Sequence, residues 1–320
     1  MAVPIRAVLV GGGLVGQVCH LATLTAQGSP ILLAGVVDAS LTRAQGIASG
    51  FGVPAASTLA DFDLVDVDAL VVAAPDPAHH DAVAFGLRAG LHVFCEKPLS
   101  LTRAGAVRAV EACRKAGVSL GLGTNKRFWP SMIALKQVVD SGELGTLMHI
   151  EGHSSNENSG ALFATWRDSK EESPAGGMTG SGLHVLDQFI NLAGPVRNAH
   201  AYVTARKPAP DPFDTITVMF GFANGMSGTL AAVRRSPLFW RVHVFGIDAS
   251  AEAIGETQLV IRRAGAKPEV REFQPVQSVQ LELEAFADAV EGRAPFPIPT
   301  QQMIDTIAAF EAICRSVDRK

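Results

Sequence analysis

The chain has 320 residues, 48% of them hydrophobic and 18% charged, with a net charge of −4 at neutral pH and a mean hydropathy of +0.22. That length favours two domains over a single core, and the apolar content argues against a disordered chain. No run of Lys or Arg is long enough to track a phosphate backbone, which sets aside nucleic acid and anionic membrane as partners. The apolar run before the first glycines is too short for a signal sequence, and no segment has the length to span a bilayer. Cys19, Cys95, Cys113 and Cys314 lack C-x-x-C spacing and sit in apolar segments. They read as reduced structural thiols, with cytoplasm the default compartment.

Residues 1–123 alternate short β-branched runs with helical patterns, the signature of βαβ units around a parallel sheet. The first strand, "IRAVLV", runs into "GGGLVGQ", where Gly11, Gly13 and Gly16 stand in G-x-G-x-x-G order. Such glycines allow a tight turn, close approach of a pyrophosphate and tight helix–strand packing. The amides around Leu14 and Val15 would then face phosphates at a helix N-terminus. Asp38 ends the second strand, "ILLAGVVD", 22 residues after Gly16. An acid there suits the ribose hydroxyls and repels a 2′-phosphate, favouring NAD over NADP. Arg43 leaves room for dual use, and the other reading of Asp38 is a helix cap.

The third strand closes in "AAPDPAHH", whose Pro75 and Pro77 stop ladder pairing at the sheet's carboxyl edge, where ligands of such folds bind. Ala74, Pro75 and His79 are candidate cofactor contacts there, although His79 also reads as a first-turn helix residue. "LHVFCE" is the fourth strand; it delivers Glu96 and Lys97 before Pro98, so this charged pair sits at a loop mouth. Leu101, Ala104, Val107, Val110 and Cys113 recur every three residues as an amphipathic helix leading to the fifth strand, "VSLGLG".

Residues 124–320 form the second domain. A helix from about Pro130 to Ser141 precedes a strand near "TLMHIEGHS"; an irregular segment follows, then a helix around His184 to Leu192. From Val196 to about Glu272 the pattern is consecutive strands, with Asn224-Gly225 supplying the positive φ angles of a type I′ hairpin turn. A mostly antiparallel sheet with helices on one face is implied. Two closing helices, about 279–291 and 300–317, flank "APFPIP".

Read together, "GGGLVG", Asp38, "AAPDPAHH", "CEKP", "KRFWP", "WRD" and "GGMTGSGLHVLD" resemble the Gfo/Idh/MocA family of oxidoreductases. The resemblance implies a Rossmann domain followed by an α+β domain with a large open sheet, whose exposed face would make a homodimer or homotetramer. It implies catalytic roles for Lys97 and His184, with Asp187 as the family's later acid. Trp166 and Arg167 resemble a nicotinamide-side wall, and Arg127 a residue flanking the site. One departure stands out: many relatives carry D-x-G-x-H, whereas this chain has Gly180 four residues before His184.

The chemistry these residues permit is hydride transfer between NAD and a secondary hydroxyl of a sugar, polyol or cyclic diol. A lysine amine in water titrates at about 10.4, and for Lys97 both desolvation and the positive charge of oxidised nicotinamide disfavour the ammonium form. Glu96, on the opposite side of the extended backbone, anchors the loop or touches cofactor. His184 can exchange protons near neutral pH. Lys97, Arg127, Asn156, Trp166 and His184 are the candidate substrate contacts, with Phe163 a further wall residue. Arg127 and Arg167 offer forks for a carboxylate or a cofactor amide, or else cross-link domains. No pattern of metal ligands occurs. A redox-cycling lyase or glycosidase with retained NAD, and a non-catalytic NAD-binding sensor, remain alternative readings.

Overall fold

The structure, a computed structural model, describes residues 4–156, 174–176, 178–204, 215–234 and 236–318. The chain divides into two compact units, Met1–Asn125 with Gln277–Met303, and Lys126–Val276 with Ile304–Lys320.

In the first unit, β1 (Ile5–Val10), β2 (Ile31–Val37), β3 (Ala55–Ala56), β4 (Ala69–Val72), β5 (His92–Glu96) and β6 (Leu120–Gly123) form a sheet of order β3-β2-β1-β4-β5-β6. All its pairings are parallel. Every position of β1 except Arg6 is buried, as two covered faces require. The short β3 has no distinct sequence signal. Helices α1 (Ala22–Leu24), α2 (Leu41–Ser49), α3 (Asp76–Arg88) and α4 (Arg103–Ala116) lie along the chain between the strands. A π-helical turn, Gly16–Leu21, leads into α1. The Thr102 hydroxyl accepts the Gly105 amide at the start of α4, and Gly117 ends the helix at φ +70°. The face that α4 buries is Gly105, Ala106, Ala109 and Cys113; Ala104, expected inward from the three-residue spacing, is exposed. Small residues next to one another set this helix's packing face, which a count of large apolar residues passes over.

In the second unit α5 (Pro130–Asp140) precedes β7 (Leu147–Asn156) and α6 (Leu183–Ala193). Seven more strands follow: β8 (Val196–Thr204), β9 (Thr215–Phe222), β10 (Ser227–Arg234), β11 (Phe239–Gly246), β12 (Ala249–Ile254), β13 (Gln258–Arg263) and β14 (Glu269–Glu272). Their order is β14-β13-β12-β11-β7-β10-β9-β8, antiparallel except where β10 runs parallel to β7. Helix α6 lies on one face: Phe189 is fully buried with its ring 5.7 Å from Phe220, and a side chain at Gly152 would run into Val185 and Phe189.

The β9–β10 turn departs from the type I′ expectation. Gly225 has φ +91°, but Asn224 is not among the residues of positive φ. Phe222 and Met226 pair across a three-residue loop, and the Asn224 side chain accepts the Met226 amide while donating to the Ala193 carbonyl. Only the last loop position therefore needs the left-handed region, as three-residue hairpin loops do.

Helices α7 (Ser278–Val290) and α8 (Thr300–Asp318) close the chain. Periodicity places both in the second half, yet α7 packs with the first unit. Leu283, Phe286 and Ala287 join Ile5, Leu9 and Phe94 in one core, and the Phe286 ring meets Phe94 edge-on at 5.6 Å. Among the described residues no helix is long and apolar enough to cross a membrane.

Within the second unit, Arg127 forks onto Asp187: Nε donates to Oδ2 at 2.6 Å and Nη2 to Oδ1 at 2.9 Å. Both side chains are buried, at 6% and 1% exposure. Phe286→Ala is expected to cost about 3–5 kcal/mol, read from the denaturant midpoint of the transition that exposes the first unit. Asp187→Asn, which leaves the buried guanidinium uncompensated, is expected to destabilise the second unit by about 3–5 kcal/mol in the same measurement.

Candidate functional site

The strand order reverses between β1 and β4, and in sheets of this kind ligands bind outside the carboxyl ends there. Gly11 follows β1 at φ +98°, and a side chain on it would put its Cβ 2.5 Å from the Ala74 amide nitrogen. A Cβ on Gly16 would collide with the Gly11 carbonyl oxygen. These two glycines let the loop, the strand and the following helix close on one another. Gly13 has no neighbour within 4 Å of a Cβ position, so its backbone borders open space at the start of the helix containing Leu14 and Val15. First-turn amides there have no intrahelical acceptor. A pyrophosphate fits this cradle.

Asp38, 8% exposed, follows β2. Its Oδ2 accepts the Gly12 amide at 2.8 Å and its Oδ1 the Ser40 amide at 2.8 Å. Arg43 Nη1 lies 3.0 Å from Oδ1. The cap of α2 is Ser40, which accepts the Arg43 amide at 3.3 Å. Asp38 is therefore bound into the glycine loop rather than spent on a helix end.

Next along the carboxyl edge, Pro75 caps α3 and Ala74 abuts Gly11. His79 is buried, and its Nδ1 donates to the Pro98 carbonyl at 3.1 Å, so it supports the loop that follows Lys97. The Lys97–Pro98 peptide bond is cis.

Glu96 does not make a simple surface pair with Lys97. Its Oε1 accepts from Nε2 of the fully buried His20 at 2.9 Å, and its Oε2 accepts the Lys97 backbone amide at 3.2 Å. Burial opposes the Glu96 charge, but the hydrogen bond and charge of His20, aided by Lys97 and His79, hold its carboxyl below the usual range. Burial and the nearby Glu96 and Glu282 carboxyls push the Cys19 thiol up to about 11, which keeps it unreactive near neutrality.

In the second unit His184 is half-buried in the first turn of α6, after a π-helical turn, Met178–Gly182, that contains Gly180. Arg127 spends its fork on Asp187, three residues beyond His184, and so fixes the helix that presents the histidine. Asn156 ends β7 opposite Arg234 of β10. Phe163, Trp166 and Arg167 lie outside the described residues.

Sequence reasoning missed His20 and Glu282. The first could have been sought four residues after Gly16, and the second as an acid on the apolar face of "LELEAF". Neither residue type at those spacings names a partner.

Residues 5–124 match the oxidoreductase family with an NAD-binding Rossmann fold, and residues 132–252 match the GFO/IDH/MocA C-terminal domain. The chain is 31% identical over 302 residues to inositol 2-dehydrogenase 2 of Saccharopolyspora erythraea, covering 88% of this chain and 84% of that protein. It is 27% identical over 343 residues to inositol 2-dehydrogenase of Rhizobium meliloti, covering 99% and 98%. Its fold superposes on the WlbA dehydrogenase from Bordetella pertussis, solved with NADH and UDP-GlcNAcA, at a TM-score of 0.85 and 21% identity over 99% of this chain and 96% of that one. With a glycine cradle, an acid after the second strand and both domain types matched in order, the chain belongs to the Gfo/Idh/MocA family of NAD(P)-dependent oxidoreductases.

Proposed function

We propose that this enzyme oxidises a secondary hydroxyl of a sugar, polyol or cyclic diol to a ketone, with Lys97 as the base. The observation that carries the reading is the anchoring of the Lys97 backbone by Glu96, on a loop that β5 brings to the carboxyl edge beside the glycine cradle. When bound, NAD supplies the hydride acceptor. Lys97 Nζ takes the hydroxyl proton as the carbon–oxygen double bond forms, and a fixed backbone lowers the cost of holding that geometry. His184 is the second proton carrier, oriented by the Arg127–Asp187 pair on its helix. Gly180 stands in place of the aspartate of many relatives, so the proton-transfer roles in this reading fall to Lys97 and His184. Inositol dehydrogenases among the relatives support a polyhydroxylated substrate.

Gly11, Gly13, Leu14, Val15 and Gly16 hold the pyrophosphate in this reading, and Ala74, Pro75 and His79 shape the loop beside it. Asp38 takes the ribose hydroxyls and opposes a 2′-phosphate. By the family resemblance Trp166 and Arg167 are assigned to the nicotinamide side, and Asn156 is assigned to substrate. In this reading the chain assembles as a homodimer or homotetramer through the face of the second sheet opposite α6. That face exposes Met219 (59%) and Tyr202 (60%) beside the Arg241–Glu151 ion pair of 2.6 Å, the apolar and paired-charge mixture that suits a covered surface.

A panel of polyols, sugars and cyclic diols with NAD and NADP, followed by NADH absorbance, tests the activity. Substrate conversion without net NADH would replace the dehydrogenase with a redox-cycling lyase, and tight NAD binding without conversion would leave a sensor. Lys97→Ala and His184→Ala are each expected to lower kcat by about 10²–10⁴-fold with NADH binding retained. Asp38→Ala is expected to weaken NAD by about tenfold and narrow the preference over NADP, measured by fluorescence titration of both reduced cofactors.

A further inference from the structure

Lys97 follows directly on a largely buried cluster of titratable groups drawn from four elements. The π-helical turn before α1 contributes Cys19 and His20, α3 contributes His79, β5 contributes Glu96, and α7 contributes Glu282. From β6 the nearest group is Gly123, where a Cβ would lie 2.9 Å from the Glu96 carboxyl carbon, so the strand yields its side-chain space to the acid. His20 and Glu282 are 0% and 1% exposed. Glu96 is doubly anchored, to His20 at 2.9 Å and to the Lys97 amide at 3.2 Å. Glu282 differs: its Oε2 is buried and finds no hydrogen-bond partner among the described residues.

Glu282 is buried and Glu96 largely so, and an ionised Glu96 within electrostatic reach penalises a second charge there. Burial and the Glu96 charge push the Glu282 carboxyl well up, while His20 holds Glu96 down, so the pair divides into one anion and one acid. A carboxylate with no donor would be costly at the Glu282 position, and a neutral acid much less so.

We propose that Glu96, His20 and Glu282 are positioning residues that set how readily the Lys97 amine takes a proton: Glu96 places a single negative charge beside it, His20 fixes that carboxylate, and Glu282 stays a neutral acid behind the pair. The proposal rests on the reading of Lys97 as base. One adjacent anion favours the ammonium; two would favour it further and none would release it. The cluster thereby fixes the pH at which Lys97 becomes free to accept the substrate's proton.

The test reads Lys97 without turnover. The full chain, with and without NADH, is trace-labelled with acetic anhydride across a pH series, and acetylation of Lys97 is followed by peptide mass spectrometry for the native chain, Glu96→Gln, His20→Asn and Glu282→Gln. Removing the Glu96 charge, or the donor that keeps it ionised, is expected to move the labelling curve to lower pH, with about tenfold faster reaction at a fixed pH on its rising limb. Glu282→Gln exchanges one neutral group for another and is expected to leave the curve in place. Curves for Glu96→Gln and His20→Asn that superimpose on the native one would overturn the proposal, and a curve displaced by Glu282→Gln would overturn the neutral acid. Should His20→Asn not fold, the other two variants decide.

A second measurement bears on Glu282 alone. A carboxyl that stays protonated in the fold but ionises when unfolded loses stability as pH rises above the ordinary glutamate range. The Tm of Glu282→Gln should therefore gain on the native chain with rising pH and lose that gain toward pH 4. A pH-independent difference, or one of the opposite slope, would refute the assignment. Because the labelling needs no substrate, a failed dehydrogenase assay with shifted curves removes the proposed reaction, whereas unshifted curves with working turnover remove only this inference.

Discussion

The Glu96 carboxylate joins two loops that local folding would leave independent. Its strand, β5, ends two places from β1 in the sheet, with β4 between. Its bond to His20 reaches the helix that opens at the glycine cradle, while its second oxygen holds the backbone of Lys97. Under this span Gly11 closes on Ala74, so the carboxyl ends of β1, β4 and β5 are drawn into one edge. Parallel strands make that convergence available, because every crossover returns the chain to the same edge of the sheet. A buried charge makes it specific, because a desolvated carboxylate tolerates few alternative partners.

The second unit solves a different problem. Its sheet is covered on one face by α6, whose Phe189 fills the space over Gly152 and meets Phe220 and Phe222. Apolar packing of this kind fixes depth and tilt but discriminates weakly between neighbouring registers of a helix. The Arg127–Asp187 fork supplies the missing discrimination, since two parallel hydrogen bonds form at one rotation and one height. His184 shares a helical face with Asp187 at a spacing of three, so its orientation follows from the pair.

Much of this was legible in the chain as written. The glycine spacing, the acid after the second strand and the β-branched runs are local signals, each tied to a backbone need within a few residues. They carried the NAD-binding Rossmann unit and the run of consecutive later strands, with the strand limits displaced by up to three residues. The reading of Asn224-Gly225 as a two-residue turn failed because the Asn side chain bonds the Met226 amide and the Ala193 carbonyl, which no dipeptide propensity contains.

What the sequence determined by itself was therefore the kind of elements, their order and the chemistry each could carry, because periodicity and turn residues act over short distances. Which sheet α7 covers, where Arg127 spends its charge, and how Glu96 finds both His20 and the neighbourhood of Glu282 were settled by the tertiary structure alone. An apolar stripe states that a face must be buried without stating against what, and an isolated charge states that a partner is needed without naming one. Those answers join residues as far apart as His20 and Glu96, or Phe94 and Phe286, and exist only once the sheet has brought them together.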